Sequence, residues 1–217
     1  MSVIPFVLDG SQRTIVATRG EFDDAGGIEG DVVFVHNLDE DQVRNPSGGN
    51  ASYDLRVGDE YRDHRDEGKT DLGEDDFLVL KPGDAFIIET AEFVRFPRRR
   101  FGHIVPKVSL LQKGLSNTSS KIDPGYFGKL LVTVFNLGQQ KVTLEKGDKF
   151  CTLYLLEVGN GVITYDGDPK RIEGRRKRRP IRKLRDSIRS NQALVAFITS
   201  VLALLGTLGG LIIQIVN

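Results

Sequence analysis

The stretch PKVSLLQKGLSNTSSKIDPGYFGKLLVTVFN, residues 106–136, decides how the rest of the chain is read. Its centre, Ile122-Asp123-Pro124-Gly125-Tyr126-Phe127-Gly128, is turn chemistry: Pro124 fixes φ, and Gly125 and Gly128 are free to take φ > 0. The turn feeds an apolar run, Leu130 to Phe135, that reads as a buried strand. Upstream, Ser109 to Leu115 predicts a single helical turn with Gly114 near its end. A carboxylate and an aromatic ring on a tight hairpin, beside a Ser/Lys-bearing segment, can hold a planar ring and place a base near a phosphate. On these residues alone a plain β-hairpin, with Asp123 bonding its own turn amides, reads equally well.

Outward from this stretch, the first 160 or so residues read as all-β. Short β-rich runs fall at Val3–Leu8, Thr14–Ala17, Asp31–His36, Ser52–Val57, Phe77–Leu80, Ala85–Glu89, Phe93–Phe96, Lys149–Leu156 and Val162–Tyr165. Turn signals such as Asp24-Ala25-Gly26-Gly27 and Lys81-Pro82-Gly83-Asp84 separate them. Many short strands with Gly/Pro turns predict a sandwich or jelly-roll-like barrel. The charged stretch from Arg62 to Asp76 reads as a solvated excursion between strands.

The 106–136 stretch resembles the joined second and third motifs of the dUTPase and dCTP deaminase superfamily. Ala51-Ser52-Tyr53-Asp54-Leu55-Arg56-Val57-Gly58 resembles the first motif, and Glu145-Lys146-Gly147-Asp148-Lys149-Phe150 the fourth. The resemblance spans about residues 45 to 157 and implies a dUTPase-like β-barrel of jelly-roll type over residues 1–166. It implies a homotrimer with sites formed between subunits, and a pyrimidine deoxynucleoside triphosphate bound with Mg2+. Carried over by motif, Asp123 is the water-activating carboxylate and Tyr126 the ring that packs on deoxyribose, with Gly125 in the same hairpin. Lys107, Ser109 and Gln112 belong to the phosphate segment, and Asp54 is the acid associated with the magnesium-bound triphosphate.

The motifs also depart from the family pattern. Lys107 stands where Arg is usual, Val108 replaces the first Ser, and Gln112 replaces a second Arg. Aligned on Asn136, Thr133 occupies the place of the deaminase glutamate, and Thr152 that of the fourth-motif glutamine. The Gly-rich C-terminal motif of dUTPases has no counterpart. Zinc-dependent deamination is excluded, because it needs a His or Cys triad with a Glu. One cysteine, Cys151, and the scattered His36, His64 and His103 do not supply it. These departures imply a nucleotide-binding sensor or effector with degenerate catalysis; the alternative is an active dUTP diphosphatase or dCTP deaminase.

The formal net charge of zero conceals a division. Of 30 Lys/Arg and 30 Asp/Glu, 11 and 2 lie between Lys170 and Arg189, which leaves 19 and 28 in residues 1–169. Residues 167–190 therefore read as a basic linker. From Asn191 to Asn217 no side chain is charged, and Ala193 to Val216 gives 24 largely apolar residues. As a helix that run would measure roughly 36 Å, against a hydrocarbon core of about 30 Å. Residues 191–217 thus predict one transmembrane helix, with the basic residues contacting anionic lipid and nucleic acid the weaker reading. Positive-inside orientation puts the β-domain in the cytoplasm, which suits a lone cysteine. Met1 to Asp9 has neither a basic start nor a long apolar core, so no signal peptide is expected.

Overall fold

The computed structural model describes residues 2–46, 49–73 and 76–174. The chain divides into one unit, Met1–Lys177, and a second, Arg178–Asn217, which lies outside the described residues. In chain order the strands begin with β1 (Val3–Ile4), β2 (Ile15–Val16), β3 (Val33–His36), β4 (Tyr53–Asp63), β5 (Thr70–Asp71) and β6 (Phe77–Leu80). They continue with β7 (Ala85–Arg95), β8 (Arg100–Pro106), β9 (Leu115–Asn117), β10 (Ser120–Ile122), β11 (Phe127–Asn136), β12 (Val142–Glu145) and β13 (Lys149–Glu157). Short helices α1 (Arg19–Asp24), α2 (Asp41–Arg44) and α3 (Val108–Leu111) fill connections.

Alternation builds the core. Along β7 and β11 every second residue is buried, and Ile88, Val94, Val132 and Val134 point inward. They meet Tyr53, Leu55, Ile104, Ile122, Leu153 and Leu155 from the facing strands. Each such side chain contributes about 1.5–3 kcal/mol when fully buried. Among the described residues the main path of the sheet runs β10-β8-β13-β4-β7-β11-β9. Strand β4 is its corner: Tyr53 to Arg56 pair with β13, and Val57 to Asp63 pair with β7. Gly58 sits at that bend, where an added Cβ would lie 2.6 Å from the Thr90 carbonyl oxygen. Glycine is required there by close backbone approach.

Several details differ from the sequence expectations. Ala85–Glu89 and Phe93–Phe96 merge into one strand, β7. The expected strand at Val162–Tyr165 is not a strand. Strand β4 runs on to Asp63 and pairs with β5, so the stretch from Arg62 is partly ordered in the sheet. Strands β5, β8, β9, β10 and β12 are additional to those expected. The helical turn appears as α3, one residue earlier than read, with Gly114 just beyond it at φ +87°.

The basic run from Arg175 and the apolar 191–217 segment lie outside the described residues. Among the described residues no helix is long and apolar enough to cross a membrane. Residues 167–174, read as the start of the linker, run against the β-domain, and Ile172 is buried there.

Candidate functional site

Two groups of sequence-selected residues form. The first joins β4, β13 and the end of β8. Asp54 lies opposite Thr152 in register, and Thr152 donates to Asp54 Oδ1 at 2.7 Å. Lys107, the residue before α3, forms an ion pair with Asp54 Oδ2. Both carboxylate oxygens of Asp54 are therefore engaged, and the Lys107 ammonium is already neutralised. Ser109 lies on α3 and Gln112 is the residue after it; both are exposed.

The second group is the hairpin between β10 and β11. The Tyr126 amide donates to the Asp123 carbonyl at 3.1 Å, and Gly125 takes φ +84°. The hairpin is tied to Phe96 from both sides: the Gly125 amide donates to its carbonyl, and its amide donates to the Tyr126 carbonyl. Asp123 is 2.8 Å from the Lys121 ammonium, with its side chain 36% exposed. Tyr126 is buried at 8% exposure, and its hydroxyl donates to the Lys129 carbonyl at 2.7 Å. Burial pushes that phenol up to about 12, so it stays protonated and can only hydrogen-bond.

Register separates the two groups. Thr152 pairs with Val105 on one side and Asp54 on the other; Tyr154, His103 and Lys121 form the next row. Asp54 on β4 and the hairpin after β10 are three strand spacings apart, roughly 14 Å. Within one chain they do not touch. Between them His103 Nε2 lies 2.8 Å from Ser119 Oγ, a pair the sequence did not single out.

A cavity of about 130 Å³ opens beside the hairpin. Ile122, Tyr126, Leu130 and Leu131 supply apolar walls, and Lys121 and Lys170 are its charged lining; no carboxylate lines it. Thr133 lies two residues beyond Leu131 on the same face of β11, since Val132 and Val134 face the core. A larger recess of about 910 Å³ lies among Arg62, Arg65, Glu67 and Glu173, away from every sequence-selected residue. We assign the site to the smaller cavity because it holds the hairpin.

No metal cage forms among the described residues, where no three His, Cys, Asp or Glu side chains converge. Asp54, whose carboxylate is held by a lysine and a threonine, does not fit a resident Mg2+. The thiol of Cys151 is pushed well up by burial, then by Glu92 and Asp54 nearby, which keeps it from acting as a thiolate.

Comparison with known proteins agrees with the sequence motifs. The chain is 35% identical over 83 residues to the deoxyuridine 5'-triphosphate nucleotidohydrolase of Escherichia phage T5, covering 37% of this chain and 56% of that one. It is 32% identical over 109 residues to the dCTP deaminase of Thermococcus gammatolerans, covering 50% and 68%. The chain thus spans just over half of the phage relative and about two thirds of the archaeal one. A crystal structure of 2'-deoxycytidine 5'-triphosphate deaminase from Agrobacterium tumefaciens overlays with a TM-score of 0.47 at 22% identity, covering 57% of this chain and 42% of that one. The family model for dCTP deaminase-like proteins matches residues 27–158, more than half of the sequence. The chain belongs to the dCTP deaminase-like family.

Proposed function

We propose that this protein is a membrane-tethered, trimeric member of its family that binds a pyrimidine deoxynucleoside triphosphate without deaminating it, and acts as a nucleotide sensor. The observation that carries the reading is the cavity beside the hairpin, which has two lysines and no carboxylate. Deamination needs a group that moves protons at the base, and losing one costs roughly 10²–10⁴-fold in rate. Thr133 cannot supply it. The ligand class follows from the hairpin and from the names of the two relatives, both enzymes of pyrimidine deoxynucleoside triphosphates. The separation of the Asp54 group from the hairpin supports sites completed by a neighbouring copy. Any Mg2+ would arrive on the triphosphate.

A second reading, slow dUTP diphosphatase activity, is favoured by the half-exposed Asp123. Turnover divides the two. Full-length protein given dCTP is expected to release no ammonia; given dUTP, any pyrophosphate released should be slow and abolished by Asp123→Asn. Ammonia at an ordinary enzymatic rate, about 1 s⁻¹ or faster, would refute the sensor reading.

The tether rests on the uncharged 191–217 segment and the eleven basic residues before it. Full-length protein should sediment with membranes and stay there through a high-salt wash, because screening weakens charge contacts but not a spanning helix. A chain ending at Ser190 should be washed off. Release of the intact protein by salt would contradict the tether.

A further inference from the structure

After β13 the chain does not leave the domain. Residues 162–174 have no regular structure, yet residues 164–170 lie along the hairpin. The Tyr165 amide donates to the Pro124 carbonyl at 2.7 Å, and the Tyr165 ring lies 5.4 Å from the Tyr126 ring. Lys170 lines the cavity beside Tyr126. A Cβ added at Gly125 would lie 2.9 Å from the Tyr165 carbonyl oxygen and 3.0 Å from Thr164 Cβ. One added at Gly128 would lie 2.8 Å from Pro169 Cβ. Arg98 steadies the segment through the Thr164 hydroxyl at 3.1 Å, and Tyr165 donates to the Asp168 carbonyl at 2.6 Å.

Every hairpin feature assigned to the nucleoside is thus in contact with the chain's own C-terminal segment. Gly125 is covered by backbone and the Tyr126 ring by a second ring, while the Tyr126 hydroxyl is bonded to the Lys129 carbonyl. What remains open is about 130 Å³. Small-molecule sites usually enclose about 300–1,000 Å³. A nucleoside seated on Gly125 and Tyr126 needs the space that residues 164–170 fill.

We propose that residues 164–170 are an intramolecular occupant of the pyrimidine site, so that strap and nucleotide hold the hairpin in alternation. The inference rests on the nucleotide-binding reading above. The strap is held by one inter-ring contact, two hydrogen bonds to the rest of the domain and the packing of Pro169 on Gly128, the kind of segment drawn from the low-stability end of a fold. Its docked fraction sets the apparent affinity, because only the open fraction binds. Beyond the strap, Ile172 is buried and the Glu173 carbonyl accepts from Arg62, so the chain is held again before Arg175.

The test uses full-length protein and a non-hydrolysable dUTP or dCTP analogue. Tyr165→Ala is expected to tighten binding by about tenfold or more, by removing the competitor. The chain has no tryptophan, so Tyr165→Trp gives a single reporter of the strap. Adding the analogue should shift its emission to the red and raise its quenching by acrylamide. Equal or weaker binding by Tyr165→Ala, or a blue shift showing a strap that closes over the ligand, overturns the alternation. Failure of all the proteins to bind any analogue instead overturns the nucleotide reading, and the alternation with it.

Discussion

Replacing Glu92 by alanine is expected to destabilise the domain by about 3–5 kcal/mol, as breaking a buried ion pair does. Glu92 is fully buried on β7, at 0% exposure. Its carboxylate accepts from Arg56 Nε at 2.7 Å, from the Arg56 amide at 3.0 Å and from the Tyr53 hydroxyl at 3.0 Å. The Tyr53 hydroxyl in turn accepts from the Asp39 amide at 2.8 Å. One carboxylate therefore ties β7 to β4 at the corner of the barrel and reaches the loop before α2. Without it, a guanidinium, an amide and a phenol lose their acceptor beside the core. For a domain of this size each kcal/mol moves the melting point by about 2–4 °C, so a fall of about 10 °C is expected in a thermal melt. Glu92→Gln, which keeps an acceptor, should fall by less. A drop under about 2 °C for the alanine variant would show that this network does not hold the corner.

The second large effect concerns the phosphate side. Lys107→Ala is expected to weaken triphosphate binding by about 1.5–3 kcal/mol, a factor of roughly 10–150, as loss of a charge-assisted hydrogen bond does. In the unliganded chain Lys107 is paired with Asp54, so a triphosphate competes with that carboxylate for the ammonium. Asp54→Asn should then bind the triphosphate at least as tightly as the parent chain. If Asp54 instead held the nucleotide's metal ion, the same change would weaken binding. Domain stability should change little in either variant, since the pair is partly exposed and such pairs contribute about 0–1 kcal/mol. Titration calorimetry and a thermal melt on each protein separate the two outcomes.

The hairpin was legible because its determinants are local. Pro124 fixes one torsion, Gly125 takes a positive φ, and Leu130 to Phe135 supply the alternation of a strand half buried on its second face. The capping box at Thr18 and Glu21 is equally local; its T-x-x-E spacing lay in the sequence unread. What the sequence hid is relational. Strand β8 opens with the last of three arginines, Arg98 to Arg100, whose charge masks a pairing that β13 and β10 impose. Val162 to Tyr165 has the composition of a strand but finds no ladder, because its backbone is spent on the hairpin at Pro124. Strand propensity describes fit to a neighbour, and there the neighbour is a turn.

The candidate site divides the same way. Resemblance to the family motifs singled out Asp54, Lys107, Asp123 and Tyr126. It carried no sign that Lys107 and Thr152, 53 and 98 residues from Asp54, would engage both of its oxygens. Nor did it show that Tyr165 would cover Tyr126. The substitution of Thr133 for a carboxylate was visible as a single letter. The cavity lined by Lys121 and Lys170 appears only once β10, β11 and the C-terminal segment are brought together.

Binding without deamination is read in a single experiment. Full-length protein is titrated with dCTP and with dUTP by calorimetry at fixed magnesium, and ammonia is assayed in the same cell after each titration. Saturable binding of at least one of them is expected, with weaker binding of the matching ribonucleotide if Tyr126 packs on deoxyribose as proposed, and no ammonia above the buffer blank. Ammonia accumulating from dCTP in proportion to protein and time, or no heat of binding with either nucleotide, would contradict it.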